Sequence, residues 1–245
     1  KGGHFMSAKR ARKSKNFHNN VVQLNNYLPE KKKTVKIYPR NRAQEEYLLT
    51  LADTRKDVVF GIGPAGTGKT IIAVLTAVKL FKEGVVDKIV VTRPAVSVDE
   101  DLGFLPGTLE QKMAPWTRPV FDVLREYFTA KEIENMINEG VVEISPLAYM
   151  RGRTFKRAFI IADEMQNSTV SQMKMLLTRL GDGSKMAVTG DLNQADRISD
   201  NGLIDFIDNL RKHPSASRLA YVTFSHSDIE RHEAVKEVLK VYGDE

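Results

Sequence analysis

The strongest constraint on this chain is the segment Gly63-Pro64-Ala65-Gly66-Thr67-Gly68-Lys69-Thr70. It fits the spacing G-x-x-x-x-G-K-[ST] and stands between an apolar β-branched run, VVFGI, and an apolar helical stretch, IIAVLTAVKL. Glycines 63, 66 and 68 let the backbone turn so that its N–H groups converge on phosphate oxygens, at a helix N-terminus whose dipole favours anions. The spacing assigns Lys69 to the β and γ phosphates of a nucleotide, and Thr70 to Mg²⁺ through its hydroxyl. The competing reading, a glycine-rich turn with an incidental lysine, leaves both flanks unexplained.

From Val35 onward the same alternation of short β-branched runs and longer amphipathic segments continues, which predicts strand–helix–strand units around a parallel sheet. Strands are expected at 58–62, 88–92, 141–144, 158–163, 185–190 and 218–224, most of them continuous apolar runs suited to burial on both faces. Helices are expected at 69–82, 170–180, 202–210 and 228–241, with a helical excursion at 108–139 broken at Pro115 and Pro119. The predicted fold class is α/β: a mainly parallel sheet flanked by helices, with that excursion after the second strand.

Charge divides the chain. Residues 1–36 hold ten Lys/Arg against the single acid Glu30, a net of +9, while the other 209 residues carry 27 basic and 30 acidic side chains, a net of −3. The expected organisation is a basic tail over 1–36 and one domain over 37–245, the five residues ahead of Met6 being set aside as an appended remnant. The tail suits a phosphate backbone or another anionic partner, or is simply a solvated leader. Cysteine is absent, which excludes disulfide frameworks, thiolate metal sites and cysteine nucleophiles and agrees with a cytoplasmic location. No apolar run approaches the roughly 18 residues of a membrane span, so a soluble protein with no membrane partner is expected.

A nucleotide pocket also needs acids. The apolar run Ala158-Phe159-Ile160-Ile161-Ala162 ends in Asp163-Glu164, at the sheet edge where open α/β folds bind ligands. Asp163 is the candidate for the magnesium shell, and Glu164 for orienting or deprotonating an attacking water. The neighbouring strand ends in Gly190-Asp191-Leu192-Asn193-Gln194, and Gln194 is the candidate sensor of the γ-phosphate or the water. Solvated strand-end acids and a loop amide are the bland alternatives.

With these residues stand Ile37-Tyr38-Pro39-Arg40-Asn41-Arg42-Ala43-Gln44, Val91-Thr92-Arg93-Pro94-Ala95-Val96, Gly103-Phe104-Leu105-Pro106-Gly107, Ser145 through Thr154 (SPLAYMRGRT), DEMQN and TGDLNQ. In that order they resemble the PhoH-like family of P-loop ATPases, whose core is similar to the first RecA-type domain of superfamily-1 helicases. The resemblance covers roughly residues 35–240. It implies a RecA-like P-loop NTPase, ATP and Mg²⁺, and Gln44 as the reader of the adenine edge. It also implies nucleic-acid contact at Arg93 and an arginine aimed at ATP phosphates at Arg231, where this chain carries His232-Glu233-Ala234-Val235 in place of a His-Pro-Leu-Val-like run. Arg151 and Arg153 are candidates for nucleotide or RNA contact, or for an interface or sheet-edge salt bridge.

The function expected from this combination is Mg²⁺-dependent ATP hydrolysis coupled to single-stranded nucleic acid, RNA favoured over DNA, in a helicase-like motor. The alternative is a nucleotide-switched RNA-binding module that docks or activates a ribonuclease. A small-molecule kinase fits less well, since Asp163-Glu164 with Gln194 suits activation of water better than of an acceptor alcohol. About 55 residues follow Gly190, too few for a second RecA-like domain. Completion of the site by another subunit is therefore expected, by family analogy in a homo-hexameric ring. Trp116, Phe121, Tyr127 and Phe128 in the excursion could pack between subunits or form a nucleic-acid surface, but at such spacing core roles are commoner.

Overall fold

The computed structural model describes residues 34–94, 109–194 and 200–243. The chain divides into two units, Lys1–Lys32 and Lys33–Glu245, and the second carries the sheet and its helices. The basic leader, Ala95-Val96 and the motif at 103–107 lie outside the described residues, apart from the leader's last three positions.

Six strands form one sheet: Val58–Ile62 (β1), Lys88–Arg93 (β2), Val142–Pro146 (β3), Ala158–Ala162 (β4), Lys185–Gly190 (β5) and Leu219–Thr223 (β6). The order across the sheet is β3-β2-β4-β5-β1-β6, and every pairing is parallel. β1, β4 and the inner part of β5 are buried along their length, as their unbroken apolar runs require. Because side chains alternate between faces, each strand feeds two cores. Val59, Val91, Ile161 and Ala187 meet helices α1 (Arg42–Ala52), α2 (Lys69–Lys82), α3 (Leu109–Tyr127) and α4 (Ala130–Asn138). Phe60, Val90, Ile160 and Val188 meet α5 (Val170–Leu177) and α6 (Gly202–Arg211). Each fully buried Phe or Ile contributes roughly 1.5–3 kcal/mol.

The expected strands hold to within two residues at either end. Among helices, three differences have physical reasons. α3 runs unbroken through Pro115 and Pro119, because Val120, Val123 and Leu124 bury its far turns against the core. The same packing puts Phe121, Tyr127 and Phe128 against that core, while the side chain of Trp116 lies outside the described residues. α5 stops at Leu177 rather than residue 180, because the chain after it pairs with the segment before β4: Phe155 N donates to Arg179 O at 2.9 Å and Gly181 N to Phe155 O at 2.7 Å. The last helix, α7 (Glu233–Tyr242), starts five residues later than expected. Residues 226–228 instead form a 3-10 turn closed by Ser225 and Asp228, and His232 caps α7 by accepting from Ala234 N at Nδ1. α1, which periodicity did not single out, is started by Asn41, whose side chain accepts from Gln44 N.

At the β3 edge, Glu143 accepts two hydrogen bonds from Arg153, one at 2.8 Å and one shorter, and pairs with Lys88 at 2.7 Å. The Arg153 guanidinium also lies over the Phe155 ring, 4.6 Å from its centroid. These bonds hold the Glu143 carboxyl well below its ordinary value, at about 2. Its stabilisation is therefore complete above the unfolded value of 4.5 and fades as pH falls through about 2. Glu143→Gln should cost about 1 kcal/mol at pH 7, a modest amount because Arg153 is partly in water. In chemical denaturation the difference from wild type should shrink at pH 3; an equal difference at both pH values would assign the effect to packing.

Candidate active site

The turn between β1 and α2 uses its glycines for conformations other residues resist: φ is +147° at Gly63, +80° at Gly66 and +82° at Gly68. A Cβ at Gly63 would lie 2.3 Å from the carbonyl oxygen of Phe224, the residue after β6, and one at Gly68 would lie 2.9 Å from Gln44 Nε2. The turn is thus packed from both sides. Inside it, Lys69 Nζ donates to the carbonyls of Gly63 and Pro64, both at 2.6 Å, and to Thr67 Oγ1 at 3.1 Å. Burial pushes the Lys69 ammonium below its ordinary pKa, and Asp191, Asp163 and Glu164 oppose that shift. Three carboxylates therefore act on the buried Lys69 ammonium.

In a parallel sheet the carboxyl ends of the strands share an edge, and the register sets Ile62 beside Gly190 and Ala162 beside Val188. Asp163, one residue beyond β4, accepts on Oδ1 from Thr70 Oγ1 at 2.8 Å and, more closely, from Thr189 Oγ1. One carboxylate thereby joins the first turn of α2 to β4 and β5. Glu164 follows with φ at +53°, a left-handed conformation costing a non-glycine residue roughly 1–3 kcal/mol. That bend ends the strand and leaves both acids on the wall of the cleft.

Glu164 is held by Gln166, whose Nε2 donates to Glu164 Oε2 at 2.5 Å. The other end of the same amide, Oε1, accepts from Asp191 N at 3.1 Å. Gln166 is 1% exposed, and its backbone carbonyl accepts from Asn201 Nδ2 at 2.8 Å. Sequence reasoning missed Gln166, Thr189 and Asp191 as site residues, although each lies inside a motif it quoted. Gln194 lines the cleft from the turn after β5, its N–H bonded to Asp191 O at 3.3 Å.

On the opposite wall, Gln44 is buried between the turn and the chain ahead of α1. Its Nε2 donates to Thr67 O at 3.1 Å and its Oε1 accepts from Arg40 N at 2.9 Å. Asn41 Nδ2 reaches Asp228 O and Glu230 Oε1, both at 3.2 Å, and Glu230 N donates to Gly66 O at 3.1 Å. The strap after β6 thus lies against the turn. Arg231, next along, is exposed and does not line the cleft; Arg93 does line it, from the end of β2. Arg151 is exposed on a turn outside the cleft, and Arg153 is in the Glu143 pair.

The cleft encloses about 680 Å³, enough for a nucleotide. Among the described residues no three His, Asp or Glu side chains are grouped so as to hold a metal ion. One carboxylate and a hydroxyl, Asp163 and Thr70, fit the sparse protein shell of Mg²⁺, which takes most of its ligands from water and phosphate.

Comparison with known proteins adds lineage. The family model described as "PhoH-like protein" matches residues 36–243. A PhoH-like protein of Bacillus subtilis is 44% identical over 205 residues, spanning 83% of this chain and 63% of its own. Protein PhoH of Escherichia coli K12 is 41% identical over 214 residues, spanning 86% and 59%. This chain therefore spans about 60% of the length of these relatives. Among solved structures, a Sulfolobus solfataricus SWI2/SNF2 ATPase core in complex with dsDNA aligns with a TM-score of 0.42 at 12% identity, over 79% of this chain and 46% of that one. With a phosphate turn, strand-end acids and a family match over most of its length, the chain belongs to the PhoH-like family.

Proposed function

We propose that this chain is a Mg²⁺-dependent ATPase whose hydrolysis is coupled to single-stranded nucleic acid, RNA more than DNA, in a helicase-like ring. The observation that carries the reading is the convergence on one cleft of Lys69, the Thr70–Asp163–Thr189 bonds and Glu164. The backbone N–H groups from Ala65 to Thr70 and the Lys69 ammonium bind the phosphates, and Thr70 with Asp163 would hold the ion. Mg²⁺ supplies charge neutralisation at the phosphate oxygens. Glu164 orients the attacking water and takes its proton, and Gln194 senses the γ-phosphate. Gln44 is the adenine reader, supported by its burial against the phosphate turn.

Arg93 and exposed Arg151 are the first candidates for nucleic-acid contact; Arg153 is a poorer one, being engaged by Glu143. Arg231, exposed beside the strap on Gly66, is the candidate to complete a neighbouring subunit's site in a homo-hexamer. The absence of cysteine supports a cytoplasmic setting. A nucleotide-switched module docking a ribonuclease would use the same cleft, and nucleic-acid stimulation separates the two.

Lys69→Ala should weaken both ATP binding and turnover, whereas Glu164→Gln should keep binding and lose turnover by about 100-fold or more. Full activity in the glutamine variant would remove Glu164 from the chemistry. Turnover should rise with single-stranded RNA; no stimulation by RNA or DNA would favour the switch.

Arg231→Ala should lose about 10³-fold in turnover with ATP binding largely intact. Mixed with Glu164→Gln it should regain some activity if Arg231 acts on a neighbour's site. No rescue despite proven subunit exchange would mean action within one subunit.

The net charge of +9 over residues 1–36 supports a large share of any sequence-independent affinity in that tail. If about five of its cations meet phosphates, log affinity for a single strand should fall against log salt with a slope of roughly −3.5. Deleting residues 1–33 should flatten that slope and spare basal turnover. An unchanged slope would assign the contact to the folded body.

A further inference from the structure

Gln166 carries a connection that neither the phosphate turn nor the strand-end acids explain. Its side-chain amide is bonded both to the Glu164 carboxylate and to the first backbone N–H beyond β5. The orientation is dictated by the partners. A carboxylate only accepts and a backbone N–H only donates, so Nε2 faces Glu164 and Oε1 faces Asp191.

The surroundings hold that amide in place. A Cβ on Gly190 would lie 2.9 Å from Gln166 Oε1, so the β5 tip approaches the amide as closely as glycine permits. Asn201, the N-cap of α6, holds the Gln166 carbonyl, while Glu164 sits in a left-handed bend as the residue before the short 3-10 turn Met165–Asn167 that carries Gln166. Beyond Asp191 the turn carries Gln194 into the same cleft. An amide group is rigid and planar, so while both bonds hold, a displacement of Asp191 N at one end is carried to the Glu164 carboxylate at the other.

We propose that Gln166 is a positioning residue that relays the position of the β5 tip, and with it Gln194, to the carboxylate of Glu164. This rests on Glu164 acting on water as proposed above. When the turn after β5 closes on a γ-phosphate, Asp191 N moves with it, and Gln166 turns the Glu164 carboxylate toward the reacting water. With another arrangement of that turn, the same amide keeps Glu164 tied to the wall. Turnover without a correctly seated γ-phosphate sensor is thereby restrained, and Gln166 needs no contact with substrate.

Two substitutions separate the bonds. Gln166→Met keeps the approximate volume and loses both; Gln166→Glu keeps an acceptor for Asp191 N but cannot donate to Glu164. Both should lower kcat by about tenfold or more, the scale expected when a catalytic group is misplaced by about an ångström, with affinity for a fluorescent ATP analogue changed less than about threefold. The relay itself is read from the double variant. Gln194→Ala should lower kcat in the wild-type background but by less than about threefold more in the Gln166→Met background. Thr169→Ala, which removes the side-chain cap of α5, serves as a stability control and should retain kcat at temperatures where it is folded. If Gln166→Met does not melt cooperatively, Gln166→Glu carries the test.

Wild type and Glu164→Gln are measured alongside. An active Glu164→Gln variant would defeat the underlying assignment of the base. An inactive one, together with Gln166 variants of normal kcat or with effects of Gln166 and Gln194 that multiply independently, would overturn the relay while leaving that assignment intact.

Discussion

The hydrogen bonds that Asp163 accepts from Thr70 and Thr189 hold the site together. They tie α2 to β4 and β5 one residue beyond the last paired positions of the β4–β5 ladder, Ala162 and Val188, at the carboxyl edge of the sheet, where the phosphate turn also begins. A carboxylate there faces buried Lys69, so burial disfavours the ammonium while three acids support it. The site is a balance of charges held by fixed elements. Truncating Asp163 to alanine would leave two hydroxyls without their shared acceptor and Lys69 with less to offset its burial.

Around that carboxylate the cleft carries local strain and close packing. Glu164 occupies left-handed backbone space without being glycine, and Gly63 and Gly68 sit where a methyl group would collide with Phe224 or Gln44. Such features persist only when neighbouring elements over-determine them. Here those neighbours are the strap after β6, the N-terminus of α1 and Gln166. Several polar groups that would serve a nucleotide are engaged with the protein itself: Lys69 with two loop carbonyls, Gln44 with Thr67 and Arg40. Binding must exchange these bonds, which couples occupancy to the shape of the turn.

How much of the molecule was legible in its sequence depended on the range of the cause. Strands buried on both faces announce themselves as apolar runs, so their positions could be read to within about two residues. The phosphate turn carried its own flanks. Breaks expected at Pro115 and Pro119 did not occur because burial of Val120, Val123 and Leu124 is a tertiary effect that local proline chemistry cannot weigh. The late start of α7 likewise depends on Glu230 meeting Gly66, far away in sequence. Gln166 was visible as a letter in DEMQN, but its reach to Asp191 follows only from the register of β4 and β5. For Arg153 the deciding partner is Glu143 on β3, which no local pattern around Arg153 announces.

As proposed, this cleft would receive the triphosphate of ATP, and Thr70 with Asp163 would hold Mg²⁺ there. A crystal structure with a non-hydrolysable ATP analogue and Mg²⁺ tests it most directly. The account predicts Lys69 Nζ transferred from the Gly63 and Pro64 carbonyls to phosphate oxygens, Thr70 Oγ1 on the ion, and Gln44 at the adenine edge. A nucleotide bound elsewhere, with Lys69 still on those two carbonyls, would contradict it.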